Sequence, residues 1–381
     1  MEINEPLNKD NKWTKEILDK VIKKMEIIAV RSRDKLPYGY DENMRHIDMS
    51  KVKPNWWTNG FFGGTCAMLY SYTKNEEFFK TLEKSEELLD EAFKKCFDII
   101  HHDVGFMWHI TSGAKYRFTK DYASKRRLFY AASTLMGRFI LGGNFIKAWN
   151  VEEAHNWTII DTMMNLPLLY WASKEFNDDR YKRVAMAHAD NALLYHIRED
   201  GSVNHIVEHD RDTGKMICSH AGQGYAVGSS WSRGVSWALY GYVISYIHTG
   251  EERYLKASQK VADYFMSECK DYLPRLDFKA PKEPVYYDST AGAIASCGLL
   301  ELGKILSDGA KYTDFAVKMM KKMTEEFCNF DLENDYILGY GSEFYPHNEE
   351  DIKKTNIPII YGDFFYIEAL LKIVKHDLFM W

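Results

Sequence analysis

Two kinds of segment alternate along the chain. Residues 75–97 set Phe78, Phe79, Leu82, Leu89, Ala92 and Phe93 at helical spacing, with Glu and Lys filling the remaining positions. Charged amphipathic stretches of the same kind occupy 13–31, 121–139, 179–197, 252–268 and 311–328. Between them lie segments poor in charge and rich in Gly, Trp, Tyr and small residues: 57–73, about 104–118, 159–175, 231–249, 288–305 and 361–376. A helix that is apolar all round is a buried one.

Six amphipathic helices alternating with six apolar ones predict an all-α (α/α)6 barrel, a toroid of six helical hairpins with the apolar helices inside. Gly63, Gly64, Ala291, Gly292 and Ala295 would let inner helices approach closely. An open solenoid of the tetratricopeptide type fits less well, because the spacing here is irregular rather than a repeat of about 34 residues. No Pro-, Gly- or Ser-rich linker interrupts the pattern, so residues 1–381 read as a single catalytic domain. One stretch departs from helical periodicity. Around the Asp200-Gly201 and Thr213-Gly214 turns the alternation predicts a short β-hairpin near the mouth of the ring.

Composition narrows the function. At 381 residues with 46% hydrophobic and 15% aromatic positions, the chain can bury a large core. A net charge of −6 gives no basic field for nucleic acid, and no apolar run reaches the roughly 20 residues of a membrane span. The start, Met1 to Pro6, lacks the basic and apolar regions of a secretion signal. Six cysteines stand singly, without a Cys-x-x-Cys pair, as expected of a cytoplasmic protein without disulfides or a zinc site. In that compartment the Asn156-Trp157-Thr158 sequon has no role.

His205-Ile-Val-Glu208-His209 matches a zinc-peptidase pattern, but that chemistry needs both histidines on one helical face and this stretch falls in the hairpin. No phosphate loop, nucleophile elbow or dinucleotide fingerprint is present. The stronger constellation is acidic and aromatic. Eight of the ten tryptophans fall between 56 and 237, most at or near the starts of inner helices, which converge on the mouth of such a ring. Indole faces and N–H donors beside Asn, Asp, Arg and Gln suit a carbohydrate cleft.

Asp161 is a carboxylate on the first turn of an otherwise uncharged inner segment, and burial there would favour the protonated form that a general acid needs. Asn165, four residues on, could steady that carboxylate. Asp103, in His101-His102-Asp103-Val-Gly-Phe106, leads into another inner helix and would by itself read as an N-cap. Arg233 offers a planar donor fork for a ligand carboxylate, or an internal partner for Asp161. His102, His205 and Gln223 are further polar candidates.

Together these residues resemble glycoside hydrolase family 88, the unsaturated glucuronyl hydrolases. The likeness runs from about Trp56 onward. It is carried by Trp-Thr-Asn-Gly-Phe (57–61), the His-His-Asp run at 101–106 and the Ile-Ile-Asp-Thr-Met-Met-Asn run at 159–172. Further support comes from Gln-Gly-Tyr-Ala (223–226), Ser-Ser-Trp-Ser-Arg-Gly (229–234) and Tyr-Gly-Asp-Phe-Phe (361–365). The resemblance implies Asp161 as catalytic acid/base and Asp103 as a second active-site carboxylate that modulates it. It also implies substrate contacts from Trp57, His102, Trp149, His205, Gln223, Arg233 and Trp237. For the substrate carboxylate the sequence itself offers Arg233 as one candidate donor, with Ser229 or Ser230 nearby. The substrate would be an unsaturated uronic-acid oligosaccharide left by a polysaccharide lyase, and no cofactor or metal is needed. A rhamnogalacturonan-derived substrate and a non-catalytic sugar-binding toroid are the alternatives. Between Gly341 and Tyr361 the chain departs from the family pattern: the stretch 345–356 lacks the serines of members that favour sulfated disaccharides, leaving Lys353 and Lys354 as basic groups that could meet a sulfate.

Overall fold

The structure, a computed structural model, describes residues 5–381, with side chains described from Asp10 onward. Residues 1–4, the beginning of the segment read above for a secretion signal, lie outside the described residues. Six outer helices are α1 (Glu5–Arg31), α3 (Glu76–Lys95), α5 (Tyr122–Met136), α7 (Asp179–Tyr195), α9 (Glu252–Glu268) and α11 (Ala310–Phe327). Six inner helices alternate with them: α2 (Phe61–Thr73), α4 (Ser112–Thr119), α6 (Leu166–Phe176), α8 (Ser232–Thr249), α10 (Ser289–Ile305) and α13 (Ile360–Ile373); a single turn, α12 (Glu349–Ile352), sits in the loop before α13. The ring of helical hairpins is the (α/α)6 toroid.

Local chemistry sets the helix starts. Asn75, Asp121, Asp178 and Asp288 each accept a main-chain N–H at the start of α3, α5, α7 and α10. Acidic residues Glu76 and Glu77 open α3 and Lys94 and Lys95 close it, matching the helix dipole. Inner helices bury nearly everything: the first fourteen residues of α8 are all buried. A Cβ on Gly64 would lie 2.7 Å from the Phe364 ring, so that glycine lets α2 meet α13 as expected. Gly63 and Gly292 instead face the outer layer, against Ser85 and Met323.

Two inner helices start later than their sequence pattern suggests. Residues 104–118 form a π turn over Gly105–His109 before α4, and residues 159–175 begin as strand and then a 3-10 turn over Ile160–Met164 before α6. Pro167, in the first turn of α6, marks its start. Asp103 lies two residues before the first irregular turn and Asp161 within the second.

The expected hairpin is present as β6 (Ile206–His209) and β7 (Met216–His220), turning through Thr213-Gly214, and it gains a third antiparallel strand, β5 (Trp157–Ile159). The Asp200-Gly201 turn closes a separate bridge between Ile197 and Val203. Two further small hairpins, β1 (Pro37–Tyr40) with β2 (His46–Asp48) and β3 (Phe139–Ile140) with β4 (Phe145–Ile146), have too few residues to show alternation. The centre of the ring is filled by aromatic rings. Trp381 lies parallel to Phe365 (1° between planes) and edge-on to Phe106, Tyr240 and Phe364.

Candidate active site

The irregular turns 101–106 and 160–165 are joined by one side chain. Asn165 donates from Nδ2 to Asp103 Oδ1 (3.1 Å) and to the Asp161 main-chain carbonyl (3.2 Å), and its Oδ1 accepts the Phe106 N–H (3.0 Å). A Cβ on Gly105 would lie 2.8 Å from Asn165 Cα, so only glycine permits this approach. Asn165 therefore steadies Asp161 through the backbone; the expected bond to the Asp161 carboxylate is not made, because the amide is turned toward Asp103.

Asp103 is buried and does not cap the following turn, whose N-cap position is Val104. Its Oδ2 lies 3.2 Å from His102 Nε2 and 3.3 Å from His101 Nδ1. Burial, reinforced by the negative charge of Asp161, pushes the Asp103 carboxyl well above its usual range. Burial also depresses His102 strongly and brings His101 down to about 4, so both imidazoles are neutral. His102 donates from Nδ1 to the Ala148 carbonyl (2.8 Å) and meets the Trp149 ring at right angles, 5.7 Å between centroids.

Asp161 Oδ2 lies 3.4 Å from His205 Nε2. His205 Nδ1 accepts the Gln223 main-chain N–H (2.9 Å), so the ring proton sits on Nε2, pointing at Asp161. The ring packs on Trp231, 4.2 Å between centroids. Asp161 Oδ2, His205 Nε2 and Trp231 Nε1 are all buried, and none has a hydrogen-bond partner in the protein. The Asp161 and His205 atoms lie 3.4 Å apart, with the Trp231 ring against His205, and such unpartnered buried atoms suit the polar groups of a ligand. Trp57, half-buried, stands against Tyr361 on another side, 5.0 Å between centroids.

Several expected contacts are used elsewhere. Arg233 is 1% exposed. Its Nη1 pairs with Asp288 and also reaches the Ser342 carbonyl (2.6 Å), while Nη2 donates to the Glu343 carbonyl (2.7 Å). The fork is thus held by Asp288 and the 342–343 segment; it neither pairs with Asp161 nor stands free as a clamp for a ligand carboxylate. Ser229 Oγ donates to Asp277 Oδ2 (2.7 Å), fixing its own turn. Trp237 is 0% exposed and packs between Phe106 and Phe365, so its indole belongs to the core. Lys353 is paired with Glu350 at the surface, and Lys354 lies 3.8 Å from Glu343 and over the Phe344 ring.

The Gln223 amide, expected at the substrate, is also engaged within the protein, and its partners bring in residues that carry no motif. Gln223 Nε2 donates to the Glu343 carbonyl and Tyr38 to the Glu343 carboxylate. Arg138 donates to the carbonyls of Ile100, Lys147 and Ala148 and to Asn150 Oδ1, and so braces the Trp149 segment against the His101–Asp103 turn. Glu343 and Arg138 look like ordinary surface charges in sequence; only ring closure brings them here. The zinc-peptidase pattern is dispersed: His209 bonds Thr158 Oγ1 (2.8 Å) and the Gly214 carbonyl (3.0 Å), remote from the partners of His205.

A helical toroid whose mouth presents two buried carboxyls, neutral imidazoles and indoles has the architecture of a carbohydrate-active hydrolase. The sequence from residue 30 to 245 matches the model of glycosyl hydrolase family 88, and the chain belongs to that family. It is 29% identical to the unsaturated glucuronyl hydrolase of Bacillus sp. (strain GL1) over 90% of this chain and 92% of that one. The crystal structure of that Bacillus sp. GL1 enzyme superposes with a TM-score of 0.85, covering 93% and 96% of the two chains at 28% identity. An unsaturated chondroitin disaccharide hydrolase of Streptococcus pneumoniae is 28% identical over 96% of this chain and 92% of its own. The crystal structure of an unsaturated glucuronyl hydrolase specific for heparin matches with a TM-score of 0.86 and 27% identity, over 96% of this chain and 98% of that one.

Proposed function

We propose that this glycoside hydrolase acts on the 4,5-unsaturated glucuronyl residue at the non-reducing end of lyase-generated glycosaminoglycan oligosaccharides. The observation that carries the reading is the cluster of unpartnered buried atoms, Asp161 Oδ2, His205 Nε2 and Trp231 Nε1, set beside the carboxyl of Asp103. The family likeness supplies the substrate class.

In such a sugar C4=C5–O5 is an enol ether. Asp161 gives a proton to C4, the positive charge that develops at C5 and O5 is met by water, and the same carboxylate takes the proton that water sheds. The C5–O5 bond of the resulting hemiketal opens to a ketone, O5 becomes the hydroxyl of a hemiacetal at C1, and that centre expels the aglycone. One water is consumed and no second nucleophile is required, unlike the usual two-carboxylate scheme at the anomeric carbon. Burial and the nearby negative charge of Asp161 hold the Asp103 carboxyl well above its usual range, so Asp103 keeps a proton beside Asp161. His205, with its proton on Nε2, orients the Asp161 carboxylate or a sugar hydroxyl. Trp57 and Trp149 offer ring faces to the sugars.

The continuous hydrophobic core from Ile17 to Trp381 supports reading the chain as one catalytic domain. Six free thiols support a reducing, cytoplasmic setting. No helix among the described residues is long and apolar enough to cross a membrane.

The test is loss of the double-bond ultraviolet absorbance when the protein is mixed with unsaturated disaccharides from chondroitin, heparin and rhamnogalacturonan. Turnover of a glycosaminoglycan product, lowered about 10²–10⁴-fold in Asp161→Asn, is the expected result. Turnover of the rhamnogalacturonan product alone would move the substrate class, and turnover of none would leave only a sugar-binding toroid.

A further inference from the structure

The Glu208 of the dispersed zinc-peptidase pattern takes part in another arrangement. In the β5-β6-β7 sheet, Trp157, Glu208 and Cys218 are direct cross-strand partners, and the next row on the same face is Ile159, Ile206 and His220. Side chains two apart on a strand share a face, so Cys218 and His220 stand side by side on β7 with Glu208 opposite. The sheet register alone therefore brings a carboxylate, a thiol and an imidazole together.

Their donor atoms form a compact triangle. Glu208 Oε2 lies 3.0 Å from His220 Nε2 and 3.5 Å from Cys218 Sγ, and Cys218 Sγ lies 3.7 Å from His220 Nε2. Around a tetrahedral ion with bonds of about 2.0–2.1 Å to N and O and about 2.3 Å to S, the same three edges would be about 3.4, 3.6 and 3.6 Å. Shifts of a few tenths of an ångström convert one triangle into the other. The His220 ring is stacked on Trp157, 4.1 Å between centroids, which fixes its plane. Of the six thiols Cys218 alone is exposed, leaving the fourth ligand position open to water.

We propose that the β6-β7 hairpin binds a borderline-soft divalent cation, Zn²⁺ above all, through Glu208 Oε2, Cys218 Sγ and His220 Nε2. A mixed O, N and S donor set selects such an ion over Mg²⁺ or Ca²⁺, which take oxygen ligands. On binding, the Cys218 thiol gives its proton to solvent and the thiolate, neutral imidazole and carboxylate ligate the ion. Without an ion, the Glu208 charge works against that ionisation; a cation between the two reverses the effect. The bound ion clips the exposed edge strand β7 to β6. Trp157 also meets Trp149, 6.2 Å between centroids, and His220 lines the same recess as His205, so the clip stiffens the wall of the sugar cleft.

Titrating the full chain with Co²⁺ tests the assignment through thiolate-to-metal charge-transfer absorption in the near ultraviolet. The expected result is saturation at one equivalent, bleaching on addition of Zn²⁺, and loss of the band in Cys218→Ser. Affinity should fall at least about tenfold in His220→Gln and Glu208→Gln, whereas Cys96→Ser should bind like the parent chain. In the unmodified chain, Zn²⁺ should raise the melting temperature. No thiolate band in the parent chain, a band that survives Cys218→Ser, or no effect of Zn²⁺ on the parent melting temperature would each overturn the proposal.

Discussion

Asp103 Oδ2 stands 3.2 Å from His102 Nε2, a nitrogen with no proton to give. The ring proton is on Nδ1, donated to the Ala148 carbonyl, and burial keeps the imidazole neutral. The proton between the two residues therefore belongs to Asp103, in keeping with a carboxyl pushed up by burial and by Asp161.

Replacing Asp103 tests this arrangement. Asp103→Asn keeps the shape and neutrality of the protonated acid, so the fold should survive, with an unchanged melting temperature. Catalysis should fall because the pair loses its store of a proton. The basic limb of the pH–rate profile should move to lower pH, since the carboxyl raised by its surroundings is gone. Full activity with an unmoved limb would reduce Asp103 to a structural role.

Arg233 and Asp288 form a buried ion pair that ties α8 to the start of α10 and holds the 342–343 segment. Arg233→Met should cost about 3–5 kcal/mol in urea unfolding, because Asp288 is left buried and unpaired. Adding Asp288→Asn should restore much of that stability without restoring activity, since the Ser342 carbonyl still lacks its donor. A double variant as unstable as the single one would show that the pair is not the source of the loss.

Acid stability follows from buried imidazoles. Burial lowers His46, His188 and His196 to about 3 and His101 and His248 to about 4. Their ordinary value is near 6.5, so the unfolded chain binds protons that the folded chain refuses. Stability should fall as the pH is lowered from about 6.5 toward 4, by about 1.4 kcal/mol per pH unit for each imidazole titrating in that window. Denaturant midpoints across the range measure the slope. His188→Asn, whose Oδ1 takes the place of Nδ1 and can still accept the Ile146 N–H, should reduce the slope by close to one proton.

Trp381 closes the centre of the ring, 3% exposed, and donates its indole N–H to Glu368 (3.0 Å). Trp381→Ala should lower stability by about 3–5 kcal/mol in chemical denaturation. Trp381→Phe, which keeps the ring stacked on Phe365 but loses the donor, should cost less. Equal losses would mean that the indole N–H dominates.

The ring was legible in the sequence because inner and outer helices obey different burial rules, and 3.6-residue periodicity reports burial directly. The two turns that carry Asp103 and Asp161 were not legible as turns. Their shape comes from Asn165 reaching across 59 positions to the Phe106 N–H, and no local pattern encodes so distant a bond. Arg233 shows the same limit. A guanidinium in an apolar helix calls for an anion, but neither a ligand carboxylate nor Asp161 meets it; the anion is Asp288, 55 residues on, chosen by how the helices close. Trp237 and Trp57 look alike in sequence, yet one fills the core and the other the mouth, a distinction made by depth along the ring axis.

The Asn165 amide sets the spacing between the Asp103 turn and the Asp161 turn from below, through bonds that involve neither Glu343 nor Lys354. Charge swaps at those two rim positions therefore leave that ruler unaltered, whereas the Gln223 loop, which holds His205 against Asp161, is tied to it.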